Sequence, residues 1–367
     1  MTKHVLVVSP IPSHPQFQGN SARIYRLNRM FQLCGYKLHF LYFGMEGLTN
    51  AQKIAMQSQW DYFHFIKPEG AASQPSYGDY FDIDDWYDER VSEYVDQLCQ
   101  TWKFEICIVN YVWFSKVLEV LPEHVLKVID THDVFGDRHL VAKAAGLEPV
   151  WFYTTKALEA QALDRADLIL AIQDEEKKYF EQITKKPVKV MGYVVPYHPL
   201  FEQNKESITI GYIGSGNPFN IESLRIFQSF IMQQPELMGP FKFVLGGTVC
   251  KDFAEHNQIF DLVGKVEHLD EFYREIDIAI NPMIGGTGLK IKSLEALSFG
   301  KPLLATKDAM VGIEGLDDYH NFENIETMVQ EIKNLSKERI ETLRINSNQS
   351  FKLYNERFIG EFKIIFN

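Results

Sequence analysis

Hydrophobic and polar positions alternate along this chain in two distinct periods. Residues 4–8 form a short β-branched run that ends in a loop rich in Pro, His and Gly. Ile24, Leu27, Met30, Phe31 and Cys34 then recur at spacings of three and four, one face of a helix, and Gly35 stops them. Residues 38–43 predict a second strand, and 106–109, 125–129 and 168–172 predict later ones. Helical stretches are expected at 153–163 and 175–183. Continuously apolar strands alternating with helices predict a parallel, doubly wound sheet covered on both faces.

The pattern restarts at Ile208. Residues 209–213 read as a strand, Gly214-Ser215-Gly216-Asn217-Pro218 as a tight loop and 221–232 as a helix. Further strands are expected at 242–245, 276–280 and 302–306. The chain therefore reads as α/β, with two Rossmann-like domains of similar plan. They join near Val195-Pro196-Tyr197-His198-Pro199, where two prolines make a hinge. The first domain spans 1–197 and the second 198–350. Phe351, Tyr354, Phe358, Phe362 and Phe366 place a last helix over 351–367. Two such sheets can turn their carboxyl ends to a shared cleft, and open α/β sheets bind ligands outside those ends. Residues 68–88 are irregular, acidic and aromatic, and read as a surface loop or part of an acceptor site.

Length agrees with this division, since 367 residues exceed the usual size of one core. Against 49 Asp plus Glu stand 37 Lys plus Arg, a net charge of -12 that argues against general nucleic-acid binding. Cys34, Cys99, Cys107 and Cys250 lie far apart without metal-ligand spacing, and read as free thiols of a reducing compartment. The first apolar run is too short for a signal peptide, and no run could span a bilayer. A cytoplasmic protein is expected, with peripheral contact at the inner face of the cell membrane left open.

The most informative segment follows the strand at 276–280. Gly285-Gly286-Thr287-Gly288 leads into helical periodicity through Leu289, Lys290, Leu294 and Leu297, and Gly300-Lys301-Pro302 ends it. Thr287 can cap the helix, and glycines let a ligand approach the backbone. A helix N-terminus suits a diphosphate, and Lys290 would add a full charge there. The bland reading is a glycine turn without ligand. Glu295 lies eight residues after Thr287, on roughly the same face. It reads either as a solvated helix glutamate or as a carboxylate that accepts the two vicinal hydroxyls of a ribose.

From Ile208 to about Thr306 the sequence resembles the nucleotide-binding domain of retaining GT-B glycosyltransferases of the family-4 type. The resemblance rests on Thr287-Gly288-Leu289-Lys290 through Glu295 and on Ser298-Phe299-Gly300-Lys301-Pro302. It implies a GT-B fold, with Glu295 on the ribose and the backbone of Gly288, Leu289 and Lys290 on the diphosphate. It also implies that the helix over 351–367 packs back on the first domain, the alternative being a core-facing helix of the second. The family pattern has two glutamates separated by seven residues, and Thr287 stands in place of the first, which leaves the donor sugar open. Gly214, Ser215 and Gly216 correspond to a donor loop that in relatives carries an Arg and a Lys. Here no cation occurs before Arg225, so Lys290, Lys292 or Arg138 is expected to replace that charge. The loop is not a dinucleotide fingerprint, because Phe219 stands where G-x-G-x-x-G needs glycine. The backbone around Gly264-Lys265-Val266 is expected to take the base.

In the first domain the resemblance extends to Asp130-Thr131-His132-Asp133. It implies that His132 faces the sugar or the acceptor hydroxyl, while Asp133 orients the imidazole or caps the next helix. The alternative is a plain turn. Gly19, in Gln18-Gly19-Asn20-Ser21, resembles a glycine loop near acceptor and phosphate. Asp82-Ile83-Asp84-Asp85 matches the letters of a metal motif but reads as a solvated acidic loop, so no metal and no cofactor are assigned.

The resemblance thus implies transfer of a sugar, with retention, from a nucleotide diphosphate-sugar, UDP favoured, to a glycan or lipid-linked acceptor in bacterial surface polysaccharide synthesis. A nucleotide-sugar epimerase and an inactive nucleotide-binding partner subunit are the rival readings.

Overall fold

The computed structural model describes residues 2–16, 18–69, 74–144, 148–200, 207–285 and 290–366. The chain divides into two compact units, Met1–Val194 and Val195–Asn367.

The first unit holds strands β1 (His4–Ser9), β2 (Lys37–Phe43), β3 (Tyr62–Ile66), β4 (Ile106–Asn110), β5 (Leu126–Asp130), β6 (Leu168–Ala171) and β7 (Val188–Val190). Its helices are α1 (Gly19–Leu33), α2 (Asn50–Gln59), α3 (Arg90–Thr101), α4 (Arg138–Ala144), α5 (Lys156–Leu163) and α6 (Asp174–Ile183). The strands form one parallel sheet in the order β3-β2-β1-β4-β5-β6-β7. Central β1 is apolar without alternation because both of its faces are covered, and Val5 to Val8 are buried. Helix α1 buries Ile24, Leu27 and Phe31, as their spacing requires, and Gly35 ends it at φ +85°.

Sequence periodicity left α2, β3 and α3 unmarked. A capping box between Thr49 and Gln52 starts α2, and the edge strand β3 is only half-buried along most of its length. The acidic segment before α3 is not the solvated loop expected from its composition. Phe81 and Ile83 are buried, and Trp86 packs edge-on against Trp113 with centroids 5.4 Å apart. Both carboxylate oxygens of Asp84 accept from the Arg165 guanidinium, at 2.7 and 2.8 Å. Aromatic burial draws this segment inward, and the ion pair neutralises the aspartate carried with it.

The second unit holds β8 (Ile208–Ile213), β9 (Phe241–Gly246), β10 (Phe260–Gly264), β11 (Ile278–Asn281) and β12 (Leu303–Ala305). Its helices are α7 (Pro218–Met232), α8 (Leu269–Glu275), α9 (Ile291–Ser298), α10 (Ile325–Ile332) and α11 (Lys337–Phe366). The parallel order is β10-β9-β8-β11-β12. The Asn217 side chain caps α7 at the Asn220 N–H, with Pro218 in the first helical position. Ile340 and Leu343 of α11 enter the core formed by Ile210, Phe227, Phe243 and Leu304. The last helix is thus 30 residues long and starts at Lys337, well before the phenylalanine stripe at 351–367. Both amide atoms of Asn355 bind the backbone of Val195, which ties that residue to the second unit.

Strand order reverses between β1 and β4 in one sheet and between β8 and β11 in the other. The crevice at such a reversal is where an open α/β sheet receives ligands. Candidate residues of each unit stand at these places.

Candidate functional site

In the second unit three loops are tied together beyond the strand ends. The Gly214 N–H donates to the Gly246 carbonyl at 3.0 Å, and the Gly214 carbonyl accepts from the Val249 N–H at 3.2 Å. The Gly247 N–H donates to the Gly264 carbonyl at 2.7 Å, which draws in the loop that leads to half-buried Val266. Gly247 adopts φ +92°, and a Cβ there would lie 2.2 Å from the Gly214 oxygen. Only glycine meets both conditions. Ser215 and Gly216 are exposed at the loop tip. The Ser215 carbonyl accepts from Asn220, and the Gly216 N–H donates to the Thr248 hydroxyl.

One lysine of α9 runs against this loop, and a second stands just before the helix, beside Gly285. A Cβ at Gly214 would lie 2.8 Å from the Lys292 Cε, so the lysine stem runs against the loop. Burial lowers the pKa of Lys292. Lys290 immediately precedes α9 and is 4% exposed, with its Nζ 3.5 Å from the Gly285 carbonyl. Burial lowers its pKa too, against the attraction of Asp308. The Asp308 carboxylate accepts from the Gly285 N–H at 2.7 Å and fixes the start of the turn. Thr287, Gly288 and Leu289 lie outside the described residues.

Glu295 is not the solvated helix glutamate of the bland reading. It is partly buried on α9, and its Oε1 accepts from the Tyr273 hydroxyl at 3.0 Å. Tyr273 is itself buried and stacks on Phe299, with centroids 4.5 Å apart. Burial pushes the Glu295 carboxyl up to about 7, while Tyr273 and the Lys292 charge pull it down. A carboxylate fixed in this way has lone pairs left for two further hydroxyl donors.

In the first unit His132 follows β5 in the left-handed conformation, at φ +61°. That turn sends the imidazole back over β4. Its Nε2 lies 2.8 Å from the Asn110 Oδ1 and 3.4 Å from the Asp130 Oδ2. The Asn110 amide donates to the Val8 carbonyl, so its oxygen is the acceptor and His132 carries its proton on Nε2. The ring stacks on Tyr111 with centroids 4.3 Å apart and planes inclined by 17°. Asn20, beside Gly19 at the start of α1, donates to the Tyr111 hydroxyl at 3.1 Å. Desolvation is the main cause that lowers the His132 pKa to about 4, and the Arg23 charge adds to it, against Asp130. The imidazole is neutral at physiological pH.

One expectation needs correction here. Asp133 does not orient the imidazole: its carboxylate accepts from Arg138 at 2.9 Å and from the Val134 N–H at 3.0 Å. Asn110 and Asp130 orient the ring instead, because the left-handed turn at His132 directs successive side chains apart. Arg138 pairs with Asp133 through one nitrogen, and 39% of its side chain is exposed. Asp130 is committed in turn, since Arg23 donates to both of its oxygens at 2.6 to 3.0 Å. Asn110, Tyr111 and Tyr273 escaped sequence reading. A polar residue that closes an apolar strand was the only available signal for Asn110.

Residues 207–339 match the family described as glycosyl transferases group 1. No curated protein matches the sequence. Among solved structures, sucrose-phosphate synthase from Thermosynechococcus elongatus is similar at a TM-score of 0.68 and 12% identity, over 99% of this chain and 98% of that one. A mutant of S. aureus TarM in complex with fondaparinux, α-GlcNAc-glycerol and UDP gives 0.70 and 12%, with both chains wholly covered. Anabaena HepE in complex with UDP and glucose gives 0.63 and 14%, over 99% and 100%. The chain has the two-domain α/β fold of the GT-B glycosyltransferases, and its residues 207–339 are similar to the glycosyl transferases group 1.

Proposed function

We propose that the protein moves a hexose-type sugar, with retention, from a nucleotide diphosphate-sugar to a hydroxyl of a glycan or lipid-linked acceptor. A UDP-sugar is the favoured donor, and assembly of a bacterial surface polysaccharide is the favoured setting. The observation that carries this reading is the Glu295 carboxylate, held by Tyr273 on a helix that starts directly after Lys290. Glu295 takes the ribose hydroxyls. The free N–H groups at the start of α9, with Lys290 and Lys292, take the diphosphate. These cations would also stabilise the leaving nucleotide, a task for which no metal or cofactor is then needed. The first unit supplies His132, whose unprotonated Nδ1 can accept a hydrogen bond from a hydroxyl of the sugar or acceptor. UDP in the similar TarM and HepE structures supports the choice of donor.

Among the described residues no helix is long and apolar enough to cross a membrane, so a lipid-linked acceptor would be met by peripheral contact. A calorimetric panel of UDP, GDP, dTDP and ADP sugars tests the donor site. At least one should bind wild type about tenfold or more tightly than Glu295→Ala, the loss expected from hydrogen bonds to a charged group. Equal binding across the panel removes Glu295 from the site.

A further inference from the structure

Beneath the turn that carries His132 lies a carboxylate with no part in the roles assigned so far. Glu159, on α5, is fully buried. Its Oε1 accepts from the Phe135 N–H at 2.8 Å. Its Oε2 accepts from the Gly136 N–H at 3.0 Å and from the Tyr179 hydroxyl, on α6, at 2.7 Å. Gly136 is pressed onto this pair, since a Cβ there would lie 2.3 Å from the Tyr179 oxygen and 2.6 Å from the Glu159 Oε2. The turn is left-handed at both ends, with φ +61° at His132 and +60° at Asp137. Such a backbone persists only where its surroundings over-determine it.

We propose that Glu159 is a positioning residue: with Tyr179 it fixes the turn at 132–137, and its ionised form holds His132 in its working orientation. The proposal rests on the reading of His132 as part of the site. An ionised carboxylate only accepts, which suits the three donors that converge on it. A protonated acid carries a donor of its own into that ring of donors, so the Tyr179 hydroxyl turns to accept it or an N–H bond of the turn loosens. Protonation is therefore a switch on the turn, thrown as pH falls.

Burial pushes the Glu159 carboxyl up to about 7, while Tyr179 and the two N–H groups pull it down. Other charged groups face the same place. Asp133 raises Glu159 further, and Arg138 is paired to Asp133. Asp137 pairs with Lys156, which also lies over the Tyr179 ring. Glu176, on α6, accepts from the Ile172 N–H, and burial pushes its carboxyl up to about 7 as well. Only variants of each carboxylate can separate the two titrations.

Nuclear magnetic resonance of protein carrying 15N-labelled histidine reads the switch without any ligand, with His132→Ala identifying the His132 signals. Between pH 5.5 and 8.5 the His132 ring stays neutral, so a step in its shifts reports a neighbour. We expect a step with a midpoint near 7. Glu159→Gln should abolish it and Tyr179→Phe should move it to higher pH. A step that survives Glu159→Gln, or vanishes only in Glu176→Gln, overturns the proposal, as does the lack of any step in wild type. Tyr179→Phe keeps the test decisive if Glu159→Gln fails to fold. A second arm measures UDP release from UDP-glucose. Glu159→Gln should lower kcat by about tenfold or more with KM little changed, and should flatten the acid limb of the pH profile. If the step behaves as expected but His132→Ala releases UDP as fast as wild type, the reading of His132 falls while its coupling to Glu159 stands.

Discussion

Removing one member of the Arg23–Asp130 pair should unfold the first unit far more readily than removing both. The Arg23 side chain is 5% exposed and that of Asp130 0%. The guanidinium meets both carboxylate oxygens and also donates to the Gly192 carbonyl at 3.3 Å. Arg23→Met leaves a buried carboxylate alone, and Asp130→Leu leaves a buried guanidinium alone. Each single change should cost about 3–5 kcal/mol, the typical loss when one charge of a buried pair is stranded. Arg23→Met/Asp130→Leu strands neither, so it should cost less than either single change. All five tryptophans (Trp60, Trp86, Trp102, Trp113 and Trp151) lie in the first unit, so tryptophan fluorescence in urea follows this unit selectively. In Arg23→Met the carboxylate beside His132 also loses its partner, and the imidazole pKa should rise. If both single changes cost less than about 1 kcal/mol and the double variant equals their sum, the pair is not the desolvated unit described here.

Further expectations concern pH and the donor loops. The folded Glu159 carboxyl sits at about 7 against an ordinary 4.5, so its contribution to stability is complete below 4.5 and lost as pH rises through 7. Glu159→Gln removes this term, so the wild-type advantage over the variant in urea unfolding should shrink by up to about 3 kcal/mol between pH 5 and 8; an advantage that grows with pH contradicts the assignment. Gly247→Ala, with its Cβ driven onto the Gly214 oxygen, should destabilise the second unit by about 1–3 kcal/mol and weaken UDP binding. A thermal-shift profile identical to wild type with and without UDP would refute that contact. Tyr273→Phe should weaken UDP by about three- to tenfold, less than Glu295→Ala, because one neutral donor is lost from a carboxylate that remains. Calorimetry showing the reverse order would place Tyr273 on the ligand itself.

The pattern of apolar positions determined the two α/β sheets. β6 and residues 5–8 of β1 are uninterrupted apolar runs because both faces are covered, and α1 and α7 show their buried stripes directly. The pattern was silent on β3, whose aromatic run is broken by His64, and on α3, which follows an aromatic segment without a turn signal. The glycine turn before α9 and the placing of Glu295 on that helix were also legible, because caps, turns and helical spacing act over a few residues. What surrounds those residues was not. Arg23 and Asp130 lie 107 residues apart, His132 and Asn110 22, and Glu295 and Tyr273 22. Only the order of strands in each sheet brings such partners together, and that order is set by packing of the whole core. Tertiary structure therefore decided that Asp130 and Asn110, not Asp133, orient His132, and that Asp133 pairs with Arg138. It also decided that Glu295 is a held, partly buried carboxylate: a glutamate's place on a helix is local information, but its solvent and its partners belong to the fold.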